Sequence, residues 1–322
     1  IGKRKETTKR AWGIDVGESS LKVVRMVAGP GDAGPVVDGC DLFPHRISLS
    51  RPEAVASRNR ILTESLSAFL AKYPLEKSDR ICVGFPGHKI LGRSFQLPAV
   101  APKRLEEMVR FEAQTRIPIP LDETAWSYQS FTTPTSDASA ANSSRLANTL
   151  LIAAKQRVLQ ELRIAFDEVQ MPLHIVQSDA LALFNFAVYE GLGQLVRAPD
   201  GESSPIALLD VGTVATNIVI VSGERPWSRS FRRGGDDFTN AAVERLNLTI
   251  DQAEQVKFKP TRVPRLSELY DAFDPMFARL TDEIQRSLES FHQETDQRVS
   301  RLLGVGGGFR LHGLLKYLRN GP

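Results

Sequence analysis

Apolar and polar residues alternate through the opening of the chain in the way that is typical of β-strands. The alternation runs from 11 to 28, and the turn cluster GPGDAGP at 29–35 separates it from a second apolar segment, VVDGCDLF. The spacing changes to three and four residues over Arg58–Lys72, which predicts a helix, and RICVGFPG predicts a buried strand after it. The pattern therefore predicts a first unit with the order βββαβ.

Residues 89–171 follow with a pattern of their own. The segments ILGRSFQLP, AWSYQSF and TLLIAAK predict strands, and apolar periodicity predicts helices over Pro102–Arg116 and around 158–169. The segment TTPTSDASAANSSR at 132–145 has few large apolar side chains, so we expect a mobile or disordered loop there. This section is predicted to form a separate α+β subdomain.

The later part of the chain repeats the opening design. After the strand LHIVQSD and a helix over 179–190, the polar segment RAPDGESSP at 197–205 predicts a boundary. The segment IALLDVGTVATNIVIVSGERPWSRSF then predicts three strands joined by turns, and DDFTNAAVERLN predicts a helix. The chain therefore consists of two related halves, each of which opens with a strand pair.

Helices are predicted for most of the remaining chain. Thr249 and Gln252 have the spacing of a capping box, which marks a helix start. Apolar residues at intervals of three and four predict a long helix from Arg265 to His292, and Pro275 is expected to kink or divide it. RLLGVGGG predicts a strand that runs into a glycine-rich turn, and FRLHGLLKYL predicts a helix directly after that turn.

Composition and charge narrow the class of protein. With 322 residues, of which 42% are hydrophobic, the chain is expected to bury more than one core. The 41 basic and 38 acidic residues leave a net charge of +3, which is too small to indicate a nucleic-acid-binding protein. Two cysteines, and no apolar run of about 18 residues, favour a cytoplasmic protein that is neither secreted nor membrane-spanning.

An acid and a glycine end an apolar run twice, in GIDVGESSLK at Gly13–Lys22 and in LLDVGTVATN at Leu208–Asn217. A glycine turn after a strand leaves backbone N–H groups at the edge of a sheet, where they hold phosphate oxygens. Two serines and Lys22 add donors, and because Asp15 would repel phosphate, its carboxylate predicts a hydrated Mg²⁺ between them. One such turn alone fits an ordinary hairpin better. Two copies, each at the start of a half, favour a phosphate site.

A third glycine-rich element, GVGGGFRLHGLL, occupies Gly304–Leu315. A dinucleotide-binding fingerprint would need a third glycine where Phe309 stands and an acidic residue on a further strand, for which no chain remains. That interpretation fails. A strand, a glycine turn and a helix start still allow a flat or phosphorylated group to approach the backbone closely. Tight packing of a helix on a sheet is the alternative, and it explains one or two glycines better than three in a row.

The two Asp-x-Gly turns and the late glycine run together resemble the phosphate and adenosine motifs of the superfamily of actin, heat-shock chaperones and sugar kinases. Within it the sequence most resembles the PilM family of type IV pilus and type II secretion assembly. The resemblance lies in WGIDVGESSLKVV, RIPIPLDETAWSYQ, RRGGDDFTNAAVERLNLTIDQAEQVK and GVGGGFRLHGLLKYL, in the family's order. It implies an α/β protein with the actin-like ATPase fold, whose two related halves enclose a cleft for ATP and Mg²⁺.

The resemblance also implies a domain organisation in which the first half carries an inserted α+β subdomain that binds a partner. The implied ranges are 11–84 with 171–204 for the first half, 85–170 for the insertion, 205–247 with 298–322 for the second half, and 248–297 for its helical part.

By the same resemblance, Asp15 and Asp210 hold the hydrated metal ion, and Asp179 is the candidate acid that orients attacking water. A surface helix N-cap explains Asp179 equally well. The implied cofactor-binding residues surround the phosphates, the ribose and the adenosine of ATP. They are Gly17, Ser19, Ser20, Lys22, Gly212, Thr213 and Thr216 for the phosphates, Gly234 and Gly235 beside the nucleotide, Glu254 and Lys257 for the ribose, and Gly306, Gly307 and Gly308 for the adenosine.

Two departures from the family pattern lower the activity that we expect. Glu18 stands where the family usually has a small polar residue, and Val214 with Ala215 replaces residues that are often hydroxylated. We therefore expect a weaker grip on phosphate and, at most, a slow ATPase.

The function implied by the resemblance is that of a cytoplasmic scaffold at the inner face of the inner membrane. It would bind the short N-terminal cytoplasmic peptide of a PilN-like membrane protein, and it could also self-associate. Two alternatives stay open: an FtsA-like filament-forming division protein and a small-molecule kinase of the same superfamily. The kinase would need a general base, which the five scattered histidines do not supply, and the FtsA type would be favoured by an amphipathic C-terminal helix that this sequence lacks.

Overall fold

The computed structural model describes residues 10–30, 34–98, 100–132, 146–192, 204–223, 225–260 and 266–320. The chain divides into two compact units, of which the larger comprises 1–88 and 173–322 and the smaller comprises 89–172. The predicted loop at 132–145 and the predicted boundary at 197–205 lie almost wholly outside the described residues. In the described ranges, no helix is both long enough and apolar enough to cross a membrane.

A five-stranded sheet forms the first half of the larger unit. Its strands are β1 (Arg10–Val16), β2 (Ser20–Val27), β3 (Val36–Pro44), β4 (Arg80–Phe85) and β8 (Ile175–Ser178). The order is β3-β2-β1-β4-β8, in which β1, β2 and β3 are antiparallel neighbours and β4 runs parallel to both β1 and β8. Helix α1 (Arg58–Lys72) buries its apolar side here, where Phe69 meets the ring of Trp12 edge-on at 5.0 Å. The predicted βββαβ order is confirmed.

The second half of this unit has a four-stranded sheet of β9 (Ile206–Val211), β10 (Thr216–Ser222), β11 (Arg225–Phe231) and β12 (Arg301–Val305), in the order β11-β10-β9-β12. Both faces are covered, which explains why β9 and β10 are apolar almost throughout. Helix α4 (Asp179–Tyr189) packs on one face through Phe184. The other core contains Phe238, Phe273 and Phe277 from α5 (Gly235–Leu246) and α7 (Leu266–Thr295), together with residues of α6 (Ile250–Phe258) and α8 (Leu314–Asn320).

The two sheets repeat one arrangement at their first hairpin. Asp15 on β1 pairs with Lys22 on β2, and Asp210 on β9 pairs with Asn217 on β10, each one residue further from the turn than the innermost pair. The strand on the other side of β1 and of β9 is parallel in both sheets. The predicted relation between the halves is therefore confirmed at the level of strand register.

The smaller unit has one three-stranded antiparallel sheet in the order β5-β7-β6, formed by β5 (Ile90–Pro98), β6 (Thr124–Thr132) and β7 (Leu146–Lys155). Its helices are α2 (Pro102–Arg116) and α3 (Gln156–Glu168). Val109 and Ala113 of α2 pack on Leu151 and Ala153 of β7 in the core of this unit. The predicted strands and helices of this section are all present.

The structure changes two helix predictions. Of the two effects expected at Pro275, division of α7 is wrong, because the apolar residues on both sides of the proline are buried and this packing outweighs a lost backbone hydrogen bond, while a kink stays a prediction. The helix expected directly after the glycine run is also shorter than predicted. Residues Gly307–Arg310 form a single 3₁₀ turn, Gly313 has a φ of 92°, and only then does α8 begin.

Candidate functional site

A cleft of about 920 Å³ opens in the larger unit where the first hairpin turns of its two halves face each other. Both halves and the late glycine run contribute to its walls. The predicted site residues that line it are Asp15, Gly17, Ser19, Ser20, Lys22, Asp179, Asp210, Gly212, Thr213, Gly235, Glu254, Lys257, Gly307 and Gly308. Thr216, Gly234 and Gly306 are not among the lining residues, although each is adjacent in sequence or in space to one that is.

Three carboxylates and one lysine form the polar centre of the cleft. Lys22 Nζ lies 2.6 Å from Asp15 Oδ2. Burial lowers the pKa of Lys22, but the charge and hydrogen bond of Asp15, together with the charges of Asp210 and Asp179, outweigh burial and raise this pKa. Burial raises the pKa of Asp210 to about 6, and the charges of Asp179 and Asp15 add to the effect. The cluster therefore carries more negative charge than Lys22 compensates, and a cation would relieve the excess.

Asn217 joins two of these carboxylates, and the sequence interpretation did not include it. Its Nδ2 donates to Asp179 Oδ2 at 3.0 Å and, more weakly, lies 3.4 Å from Asp210 Oδ2. Its Oδ1 accepts from the hydroxyl of Ser230 at 2.5 Å, which fixes the orientation of the amide. The sequence could have identified Asn217 by its position, because it pairs with Asp210 across the second hairpin as Lys22 pairs with Asp15 across the first.

Asp179 is the first residue of α4, but the N-cap position belongs to Ser178. Its carboxylate lines the cleft, where it accepts from the amide of Asn217 and from the backbone N–H groups of Ala180 and Gly87. Burial raises its pKa, and these hydrogen bonds only partly offset that effect. The surface N-cap interpretation is therefore wrong, while a role toward a bound water stays a prediction.

The turn after β1 is held by side chains from the segment after β3 and from α1. His45 Nε2 lies 3.1 Å from the carbonyl oxygen of Gly17, which can only accept, so this nitrogen carries the proton. Both guanidinium nitrogens of Arg58 donate to the Glu18 carboxylate, at 2.9 and 3.0 Å. Glu18 was expected to disturb phosphate binding. Its carboxylate is paired with Arg58 of α1 and so helps to hold the turn, while the expected effect on phosphate binding stays a prediction.

The turn after β9 rests on the start of α5. The backbone N–H groups of Gly235 and Asp236 donate to the carbonyls of Gly212 and Thr213 at 2.9 and 2.8 Å. A Cβ on Gly234 would lie only 2.6 Å from the Thr213 oxygen, so this position needs glycine for the close approach of two backbone segments. The two phosphate turns also meet each other, because Ser19 Oγ lies 3.3 Å from Thr213 Oγ1.

Thr216, predicted to bind phosphate, is fully buried, and its hydroxyl donates to the Arg233 carbonyl at 2.7 Å. In this structure it joins β10 to the end of β11. Gly306 has a φ of 86°, and a Cβ there would lie 2.2 Å from Asp210 Oδ1. It thus allows the glycine run to pass beside the carboxylate cluster, whereas a Cβ at Gly307 would meet nothing within 4 Å.

The far end of the cleft is formed by α6 and the glycine run. Lys257 is buried and its Nζ donates to Glu254 Oε1 at 2.7 Å, to the hydroxyl of Thr239 at 2.8 Å and to the Gly235 carbonyl at 3.2 Å. Phe258 and Arg310 line the same end, with the guanidinium carbon 5.3 Å from the ring centroid. The sequence interpretation missed this stacked pair, although Phe258 directly follows the predicted ribose motif.

The chemistry of the donor set fits Mg²⁺ with a polyphosphate. The described residues contain no group of three or more side chains arranged to hold a metal ion by themselves. Mg²⁺ does not need such a cage, because it is usually held by one or two carboxylates while waters and phosphate oxygens complete the coordination. Asp15 and Asp210, with the hydroxyl and backbone donors of the two turns, match that requirement.

Comparison with known proteins gives a consistent result. Residues 13–321 match the family described as type IV pilus assembly protein PilM. The chain is similar to the solved structure titled PilM-PilN type IV pilus biogenesis complex, with 25% identity, a TM-score of 0.77, and coverage of 96% of this chain and 85% of that chain. The expected α/β class and actin-like fold are thereby confirmed.

More distant structures also match. The ethanolamine utilization protein EutJ from Carboxydothermus hydrogenoformans has 12% identity and a TM-score of 0.49, and the match covers 98% of this chain and 83% of that one. The cytoplasmic domain of EpsL, from the type II secretion system of Vibrio cholerae, has 11% identity and a TM-score of 0.41, with 74% of each chain covered.

Proposed function

Because this chain belongs to the PilM family of type IV pilus assembly proteins, we propose that it is an ATP-binding scaffold that docks to a PilN-like membrane protein. The observation that carries the nucleotide part is the cluster of Asp15, Asp179, Asp210 and Lys22 between two glycine turns. A cluster that leaves a carboxylate with a pKa of about 6 is unfavourable in the free protein and is typical of a binding site.

In the proposed complex, Asp15 and Asp210 hold a hydrated Mg²⁺, whose charge offsets that of the phosphates. The backbone of the two turns and the hydroxyls of Ser19 and Thr213 donate to phosphate oxygens, and Lys22 adds a charged donor. Glu254 accepts from the ribose, and the glycine run with Phe258 and Arg310 encloses the base. Asn217 keeps Asp179 oriented for a water. Val214 and Ala215 stand where the family often has hydroxylated residues, so hydrolysis is slow.

Titration calorimetry tests nucleotide binding directly. We expect the folded protein to bind ATP in the presence of Mg²⁺ and to lose most of that affinity when the metal is chelated. Asp210→Asn should bind ATP with little dependence on Mg²⁺, and Asp79→Asn, at a buried carboxylate outside the cleft, serves as the control. Absence of heat and of any thermal shift with wild-type protein would refute the nucleotide site.

The partner part of the proposal rests on the smaller unit and on the similar PilM-PilN structure. A groove of about 560 Å³ is lined by Gln114, by the I-P-I-P-L stretch at 117–121 and by Asp122, between α2 and β6. Phe111, on α2 just before it, is 67% exposed. Apolar side chains that alternate with prolines offer pockets to an extended peptide, which suits capture of a short cytoplasmic tail. Through that tail the chain would be held at the cytoplasmic face of the inner membrane.

A fluorescent peptide that copies the cytoplasmic N-terminus of the cognate PilN-like protein tests this part. We expect micromolar affinity, and we expect Ile119→Asp to weaken binding at least about tenfold by placing a charge in the groove. Ile164→Asp, on the exposed side of α3 in the same unit, should leave the affinity unchanged. Deletion of 85–170, in a variant that still binds ATP, should abolish peptide binding. If Ile119→Asp and the deletion variant both kept the wild-type affinity, the peptide would bind elsewhere.

A further inference from the structure

The segment after β3 crosses the cleft, and the roles proposed so far do not use it. We call residues 45–51 the bridging loop. Its near end packs on the turn after β1, where the backbone N–H groups of His45 and Leu49 donate to the carbonyls of residues 19 and 18 at 3.0 and 2.6 Å. Its far end, at Arg51, reaches the second half of the larger unit. The loop therefore connects a phosphate turn of one half with helices of the other.

Two contacts form the far end of the bridging loop. Arg51 Nη2 lies 3.8 Å from Glu254 Oε1, and the Arg51 side chain is only 12% exposed. The Ser50 side chain hydrogen-bonds to the carboxylate of Asp236 in the first turn of α5. Burial raises the pKa of Asp236, and the Ser50 hydrogen bond and the charge of Arg51 act against that rise. Arg51 thus compensates two carboxylates that both line the cleft.

The donors around Glu254 fix which of its oxygens is available. Oε1 accepts from Lys257 Nζ and from the hydroxyl of Thr239, and it faces Arg51. No described residue donates to Oε2. A carboxylate held through one oxygen presents the other in a defined direction. Of the three side chains around Oε1, Arg51 alone comes from the first half of the unit, and at 3.8 Å it contributes as an ion pair. Loss of Arg51 would leave Glu254 attached to its own half alone.

We propose that Arg51 is a positioning residue for the ribose end of the nucleotide, which it reaches through Glu254 and Asp236 rather than by contact with phosphate. This inference rests on the proposed ATP site and adds a residue that neither phosphate turn contains. The two carboxylates offset the positive potential of the Arg51 guanidinium, which weakens its attraction for a phosphate. Its contribution is to hold the two halves at the distance at which Glu254 meets the sugar.

The experiment compares ATP with inorganic tripolyphosphate, which has the phosphates but no ribose, by calorimetry in Mg²⁺. Arg51→Met should weaken ATP binding about three- to twentyfold, the range of a coupled ion pair, and should change tripolyphosphate binding less than about twofold. Arg51→Lys should recover part of the loss. The control is Arg60→Met on α1, because the Arg60 guanidinium bonds to Glu64 of the same helix and does not line the cleft.

Four outcomes are distinguishable. Selective loss of ATP affinity in Arg51→Met, with Arg60→Met close to wild type, supports the inference. Equal loss for ATP and tripolyphosphate shows that Arg51 contacts phosphate, and unchanged affinities show that the bridging loop is only structural; either result overturns it. Failure of wild-type protein to bind ATP removes the proposed function and this inference together. A double-mutant cycle of Arg51→Met with Glu254→Gln checks the pair itself, since independent effects that simply add would contradict coupling.

Discussion

Replacement of Asp210 by asparagine should stabilise the nucleotide-free protein while it impairs Mg²⁺-dependent ATP binding. In the folded protein the pKa of Asp210 is about 6, against 3.8 for an ordinary aspartate, because the side chain is buried beside Asp179 and Asp15. A raised carboxyl pKa means that the native state holds its proton more tightly than the unfolded state. The free energy of unfolding therefore falls as the pH rises from about 4 to about 6. Above pH 6 the free energy of unfolding stays at this lower value.

The magnitude follows from the difference in pKa. About two units correspond to about 3 kcal/mol at pH 8, which Asp210→Asn should recover. For a unit of this size the gain is equivalent to a rise of about 6 to 12 °C in the thermal midpoint. At pH 4, where the Asp210 carboxyl of the folded protein is protonated and most of the stability deficit is gone, wild type and variant should unfold at similar temperatures. ATP with Mg²⁺ should stabilise the wild type much more than the variant.

Calorimetric melting at pH 4, 6 and 8, with and without MgATP, measures all of these effects. Asp79→Asn is the control, and we expect it to change the stability in the opposite direction. Burial raises the pKa of Asp79, but the charge and the 2.7 Å hydrogen bonds of Arg10, with those from the Glu76 backbone and the Trp12 ring, together outweigh burial and lower the pKa. Loss of this charge should therefore destabilise the protein at pH 8. If Asp210→Asn were no more stable than wild type at pH 8, or equally stabilised at pH 4, the charge-cluster argument would be wrong.

Three further predictions concern the same cleft. Lys22→Ala removes the ammonium group beside Asp15 and should weaken ATP binding about 10- to 150-fold, measured by calorimetry; a change below threefold would contradict its assignment to phosphate. Arg58→Ala releases Glu18 toward the phosphate turn and should weaken ATP binding several-fold, and a Glu18→Gln background should remove most of that loss because the unpaired charge is gone. Phosphate release should be far slower than about 10 per second, and Asp179→Asn should lower it further without a matching loss of ATP affinity; an unchanged rate would exclude a role for Asp179 in orienting water.

The secondary structure of this protein follows from its sequence to a large extent. Periodicity alone places α1 at Arg58–Lys72 and α2 at Pro102–Arg116, and the structure has the same bounds. The two Asp-x-Gly hairpins were visible as well, because strand alternation and glycine turns depend on residues that are close together along the chain. Their repetition was enough to predict that the two halves are related, and it is also the basis on which we assign both turns to phosphate.

Tertiary structure decided which side chains contact each other in and around the cleft. Glu18 faces Arg58, and Arg51 faces Glu254, across intervals of sequence that carry no periodic signal. Packing also assigned Thr216 to a backbone carbonyl and kept α7 intact through its proline. The physical reason is the same in each case. Local patterns select a backbone conformation, whereas the charge, burial and hydrogen bonds of a side chain depend on the segments that the fold brings against it.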